Sequence, residues 1–313
     1  METKKNRSTF SGKVGFVLAA AGSAVGLGNL WRFPYLAAKY GGGIFLLVYI
    51  VLAVTFGFTL MVTEIAIGRK TRLSPMEAFG SLNKKWSWMG KLVTLVPVLI
   101  LPYYCVIGGW VTKYTATMIS GAVQDAAGDN YFSTFISGTG EPLLWFLLFM
   151  TATAVIVFLG VEKGIEKFSR VLMPALLILT ILLSIFVVTR PGAGAGVAYY
   201  LKPDFSKLSM MTVLAALGQL FFSMSLAMGI MITYGSYLRK QDHIEQSVRQ
   251  IEVFDTLVAF LAGLMIVPAV FVYSGGDESA LGKGPSLMFV TLPKVFAEMK
   301  IGSLIGAGCC LRR

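Results

Sequence analysis

The chain has 313 residues, 56% of them hydrophobic and only 14% charged, with a mean hydropathy of +0.73. A soluble domain carries about 25% charged residues, so this composition excludes an ordinary soluble protein. The net charge of +11 does not mark a nucleic-acid binder, because the basic residues are spread over alternate connections rather than gathered in one patch.

Apolar runs recur at 14–30, 44–62, 92–109, 143–160, 171–188, 210–234 and 257–273. Each can cross a hydrocarbon core about 30 Å thick, which takes ~20 helical residues. With their flanks they predict spans at 13–38, 43–68, 91–119, 143–160, 168–189, 210–239 and 247–274, and the start of an eighth at the end of the chain. Gly41-Gly42-Gly43 predicts a tight turn between the first two. The connection 69–90 contains Pro75, and Trp86 and Trp88 suit a membrane interface. Residues 121–142 read as a Gly-, Ser- and Asp-rich loop, and a second loop carries Pro191, Gly192, Gly194, Gly196 and Pro203. The amphipathic stretch 284–299, interrupted by Pro293, predicts a helical hairpin on the outer face. The reading is one polytopic membrane domain over 1–313, with no cleavable signal peptide.

With the N-terminus in the cytoplasm, sixteen of the 27 basic residues fall inside, Lys4, Lys5, Arg7, Arg69, Lys70, Arg72, Lys84 and Lys85 among them. That bias predicts a multi-pass protein of the cell membrane with a cytoplasmic N-terminus. Cys105, Cys309 and Cys310 are too few for a disulfide framework and lack metal-ligand spacing.

Glycine costs a helix interior roughly 1 kcal/mol against alanine. Yet "GSAVGLG" places Gly22, Gly26 and Gly28 in the first span, with Asn29 and Arg32 just behind. Gly22-x-x-x-Gly26 also fits close helix packing. The sixth span repeats the pattern: "GQLFFSMSLAMG" holds Gln219, Ser223, Ser225, Ala227 and Gly229. Interrupted spans at corresponding positions of two repeats point to a transport site, where free carbonyls suit a cation and free N–H groups suit a carboxylate. Asp255 sits inside an apolar run, at an insertion cost of roughly 2.5–3.5 kcal/mol, so it is a functional candidate by default, and Glu64 is a second. Nucleophile–base pairs, phosphate loops and metal clusters are not evident, so no enzyme is predicted.

"NLWRFPYLAAKYGGGIF", 29–45, resembles the signature of the neurotransmitter:sodium symporter family in its bacterial branch, and "GQLFFSMSLAMG" resembles that family's sixth helix. The resemblance runs to about residue 305. It implies an all-α integral membrane fold of five-plus-five inverted repeats, here about 10–190 and an incomplete 208–313, with helices 1 and 6 broken. It implies sodium-driven symport of an amino acid by alternating access, with Na⁺ as coupling ion. The first sodium is expected at Ala24, Asn29, Ser223 and Asp255, and the second at carbonyls of Gly22 and Val25. The substrate is expected to meet Ser23, Ala24, Gly26, Leu27, Gly28, Tyr104, Phe222 and Ser225, with Ile100 and Met228 lining the side-chain pocket. Arg32 and Gln219 are expected in the outer gate, Arg7 and Tyr237 in the inner one. The counterpart of Glu64 braces the unwound backbone of span 6.

Monoamine transporters of the family place an aspartate where this chain has Gly26, so the substrate is expected to bring its own carboxylate. A neutral, hydrophobic or aromatic amino acid fits. Chloride-dependent relatives are neutral at the position of Asp255, so chloride is not expected to be required. The chloride-independent bacterial pattern often has a carboxylate one turn later, where this chain has Ala259. The resemblance fades at "GSLIGAGCCLRR", which suggests a frameshift, an early stop or a partial gene model, and a 313-residue chain unable by itself to drive concentrative uptake. The alternative reading is a non-transporting membrane fragment or regulatory relative, which sodium-dependent substrate binding would distinguish.

Overall fold

The computed structural model describes residues 13–26, 28–239, 241–275 and 286–299. Among these the chain is helical almost throughout, with no β-strand and a single bridge between Gly42 and Pro203. In chain order the helices are α1 (Lys13–Ala24), α2 (Phe33–Lys39), α3 (Gly43–Leu52), α4 (Phe58–Thr71), α5 (Pro75–Leu82), α6 (Ser87–Ile119), α7 (Val123–Ala126) and α8 (Tyr131–Ser137). They continue with α9 (Gly140–Phe158), α10 (Lys167–Val188), α11 (Ala193–Leu201), α12 (Met210–Ser223), α13 (Ile230–Tyr237), α14 (Ile244–Ser274) and α15 (Ser286–Glu298). Among the described residues, five helical stretches are long and apolar enough to cross a membrane: Gly43–Thr71, Lys84–Ile119, Gly140–Phe158, Gly164–Val188 and Ile244–Ser274. The first predicted span is a bent pair, and the sixth is α12 and α13 with residues 224–229 between them. The start of an eighth lies outside the described residues.

Both predicted breaks are present. α1 ends at Ala24, and the chain resumes as a π-helical turn, Gly28–Arg32, that continues into α2, and the two halves of the span meet at a bend of 47°. Pro34, in the first turn of α2, has no N–H to leave unpaired there. In the second break Ser225 (φ 53°), Ala227 (φ 57°) and Gly229 (φ 71°) all take the left-handed conformation. Only glycine does so freely, and strained backbone of this kind costs about 1–3 kcal/mol per residue, so tertiary contacts must hold it.

α14 is the axis of the fold, with α1, α2, α4, α10 and α11 packed around it. Tyr200 of α11 donates to the carbonyl of Phe260 (3.0 Å), and Ser184 of α10 to that of Leu261 (2.9 Å). α13 lies against α4 at backbone contact. A methyl group on Gly68 would fall within 2.9 Å of the Ser236 nitrogen, and one on Gly235 within 2.9 Å of Ile65 Cα. Small residues let backbones approach this closely where lipid offers no hydrophobic drive between helices.

Several expectations change. The stretch around Pro293 is one helix, α15, rather than a hairpin. Met288, Phe289, Leu292, Val295 and Phe296 are buried on one face of it, and Phe289 stacks on Phe132 at 5.0 Å. That packing outweighs the hydrogen bond Pro293 cannot make. The two predicted loops are partly helical: 121–142 holds α7 and α8, and the stretch with Gly194 and Gly196 is α11, while the third span, expected from 91, starts at Lys84.

Candidate ion and substrate site

Asp255, on α14, is 0% exposed and draws several elements to one carboxylate. Asn29, in the π turn after the first break, donates its Nδ2 to Oδ1 at 2.8 Å and to the Asp255 carbonyl at 3.0 Å. Ser223, the last residue of α12 before the second break, donates its hydroxyl to the carboxylate at 2.9 and 3.1 Å. Tyr49 of α3 donates to Oδ2 at 3.3 Å. The Gly26 N–H in turn donates to Asn29 Oδ1 at 3.2 Å. The Asp255 carboxylate, the Ser223 and Tyr49 hydroxyls and the Asn29 amide oxygen are all hard oxygen donors. Among the described residues no three His, Cys, Asp or Glu side chains come together, so the set is not a thiolate or imidazole cluster.

A second network adjoins it. Arg32 donates to Gln219 Oε1 (2.9 Å) and to the Gly218 carbonyl (3.2 Å), and its guanidinium stands 5.0 Å from the centre of the Phe222 ring. Gln219 donates to the Gly28 carbonyl at 2.8 Å, which ties the two broken spans together. Phe222 packs 5.8 Å from Tyr104. A methyl on Gly28 would press on Phe222 and on the Ser223 backbone at 3.1 and 3.3 Å, so a larger residue here needs Phe222 or Ser223 to give by a few tenths of an ångström.

Gly22, Ser23, Val25, Gly26 and Tyr104 border a cavity of about 240 Å³ that reaches α10 at Met173. Ala24 closes α1 beside it. Ser225 lies in the second break, Met228 beside it is half-buried, and Ile100 is half-buried one turn before Tyr104. Tyr237, half-buried, is the last residue of α13. Arg7 and Leu27 lie outside the described residues. Glu64 accepts the Ala227 N–H at 2.6 Å and so holds the left-handed stretch of the second break.

Two tyrosines escaped the sequence reading. Tyr49 stands alone in "FLLVYIVL", where it reads as apolar packing, yet a buried phenol seeks a partner and that was the available signal. Tyr234 of α13 hydrogen-bonds Ser23 across the two breaks.

The fold and site thus define a multi-pass helical membrane protein in which two interrupted spans converge on a buried carboxylate. The model of the Sodium:neurotransmitter symporter family matches residues 7–135 and 131–308, and the chain belongs to this family. It is 38% identical to the uncharacterized sodium-dependent transporter YhdH of Bacillus subtilis, over 96% of this chain and 66% of that protein. It is 35% identical to an uncharacterized sodium-dependent transporter of Haemophilus influenzae, over 95% of this chain and 68% of that one. The solved structure of MhsT in complex with L-phenylalanine superposes with a TM-score of 0.91 at 39% identity, covering 98% of this chain and 70% of MhsT. The chain therefore spans about two thirds of the length of the relatives it matches.

Proposed function

We propose that the protein is a sodium-coupled symporter of a neutral, hydrophobic or aromatic amino acid, working by alternating access with its N-terminus in the cytoplasm. The observation that carries this reading is the convergence of both helix breaks on Asp255 through Asn29 and Ser223. Broken spans of this kind bring free carbonyls to a cation and free N–H groups to an anionic substrate group. Sodium is the cargo at Asp255, and the substrate carboxylate completes its shell. Arg32, Gln219 and Phe222 close over the site on the outer side. The likeness to MhsT with bound L-phenylalanine supports a hydrophobic substrate.

Gly26 carries no side-chain carboxylate to pair an amine, so the ligand supplies its own. Binding of L-phenylalanine or L-tryptophan to the purified protein is expected to need sodium. Tryptamine, which lacks the carboxylate, is expected to bind at least about tenfold more weakly, since a charge-assisted hydrogen bond is worth roughly 1.5–3 kcal/mol. Equal affinity for tryptamine and tryptophan would overturn the substrate assignment, and sodium-independent binding the coupling.

Tyr49→Phe tests the edge of the same site. It removes one of the donors on Asp255 and no charge. The bond is long at 3.3 Å, so sodium affinity is expected to fall only about 10-fold, the low end of the range for a hydrogen bond to a charged group. Titrating sodium against amino-acid binding reads it directly; an effect as large as loss of the carboxylate would contradict this ranking.

A further inference from the structure

α5 and the start of α6 form a corner next to the end of α4, and this corner gathers aromatic rings and unpaired positive charge. Trp86 and Trp88 are 51% and 55% exposed, with ring centres 6.3 Å apart. Trp88, Leu92, Leu95 and Leu99 are spaced four, three and four residues apart, so they share one face of α6, and all are exposed. That face suits acyl chains, and Trp88 marks its headgroup end. Lys84, Lys85 and Lys91 are exposed around the two rings, and none of them makes an ion pair among the described residues. The stem of Lys91, one turn along α6 from Trp88, is long enough to bring its ammonium to the same level. Between Thr71 and Lys91 the one acidic residue is Glu77, and the Ser74 hydroxyl donates to it at 3.4 Å. The corner also bears on the second helix break. Pro75, the first residue of α5, and Val93 of α6 cover Gly229, where a methyl would come 2.7 Å from the Pro75 ring and 3.6 Å from Val93. α5 is seated on α6 at Gly90, where a methyl would come 2.8 Å from the Pro75 carbonyl. Gly229 closes the left-handed stretch whose Ala227 N–H is held by Glu64.

We propose that the α5–α6 corner is a docking site for the headgroup of an anionic phospholipid. We further propose, resting on the transport reading above, that the bound lipid holds α5 against α6 and so steadies the second break. The charge is complementary: three lysines without acidic partners meet a headgroup of net negative charge, while a zwitterionic headgroup offers them none. A lysine close to an anionic leaflet is worth about fivefold in affinity. The tryptophans fit the same ligand, since each presents an apolar ring to the acyl boundary and an N–H donor to the phosphate level. The apolar face that continues from Trp88 belongs to a helix long enough to span the bilayer, so lipid, rather than a soluble partner, is what meets the corner. The contact from Pro75 to Gly229 then carries the effect of the lipid to the backbone that Glu64 braces.

The test uses the 313-residue chain in bilayer discs of phosphatidylcholine, with acyl-brominated lipids as quenchers of tryptophan fluorescence. Brominated phosphatidylglycerol is expected to quench half-maximally at a mole fraction about tenfold lower than brominated phosphatidylcholine. That difference is expected to vanish in Trp86→Phe/Trp88→Phe, because it belongs to these two of the five tryptophans. It is also expected to vanish in Lys84→Gln/Lys85→Gln/Lys91→Gln, whose exposed positions leave the packing at Gly90 in place. Equal quenching by the two lipids, or a preference that survives the lysine variant, would overturn the site. So would tryptophans shielded from both lipids, as a second copy of the chain would shield them, or displacement of the lipid by millimolar glycerol phosphate. Sodium-dependent binding of L-phenylalanine reads the second half of the proposal. It is expected to be at least about fivefold tighter in discs containing phosphatidylglycerol, the low end of ordinary coupling between two sites, and to lose that gain in the lysine variant. A lipid preference with phenylalanine binding unmoved by phosphatidylglycerol would overturn the link to the second break. Phenylalanine binding absent in every lipid would sink the transport reading and leave the lipid site standing.

Discussion

Asp255→Asn is expected to weaken sodium-dependent amino-acid binding by about 10- to 100-fold, or to make it depend on chloride. The carboxylate is fully buried and holds donors from Asn29, Ser223 and Tyr49. Asparagine keeps the volume but removes the charge, and it turns an N–H toward donors that had faced an acceptor. Hydrogen bonds to a charged group are worth roughly 1.5–3 kcal/mol, which converts to about that loss in affinity. A mobile chloride can replace the missing negative charge beside the sodium, so sodium-dependent amino-acid binding by the variant should be weaker in gluconate than in chloride. Intact sodium affinity with equal binding in both anions would refute the role given to Asp255.

Gly68→Val or Gly235→Val is expected to destabilise the protein by about 3 kcal/mol, near the upper end of the usual overpacking cost. Each glycine faces backbone atoms of the opposing helix: the Ile232 carbonyl and Ser236 nitrogen for Gly68, the backbone of Ile65 for Gly235. Backbone cannot swing aside as a long side chain can. α13 would have to leave α4, and with it the Ala227 N–H would leave Glu64. The purified variants should lose monodispersity or melt well below the parent. Gly194→Ala, in α11 with open space around its Cβ position, is the matched control and should melt at or above the parent temperature. A Gly235→Val protein as stable as that control would show that the two helices are not held at this distance.

Much of the membrane architecture was legible in local chemistry. Apolar length marks a span without knowledge of its neighbours, because the bilayer is the partner. The two helix breaks were readable for a similar reason: glycine and small polar residues in mid-span change the local cost of unwinding wherever the helix ends up. Asp255 and Glu64 stood out because an isolated carboxylate in an apolar run is expensive in any packing. Pro293 shows the limit of that kind of reading. Its local preference pointed to an interruption, and the burial of Phe289, Leu292 and Phe296 on one face kept α15 whole.

The sequence by itself therefore determined a helical membrane protein, the positions of its two broken spans, and a costly carboxylate at residue 255. Only the tertiary structure decided which groups meet. Asn29 and Asp255 are 226 residues apart, and nothing in either neighbourhood encodes the other's distance. Tyr49 became a donor to Asp255, and Glu166 a buried charge against Gly15, only once α3, α1, α10 and α14 had packed. The physical reason is range. Hydropathy and helix propensity act over a few residues, while the geometry of a hydrogen bond or a glycine contact is set by the packing of elements distant in sequence.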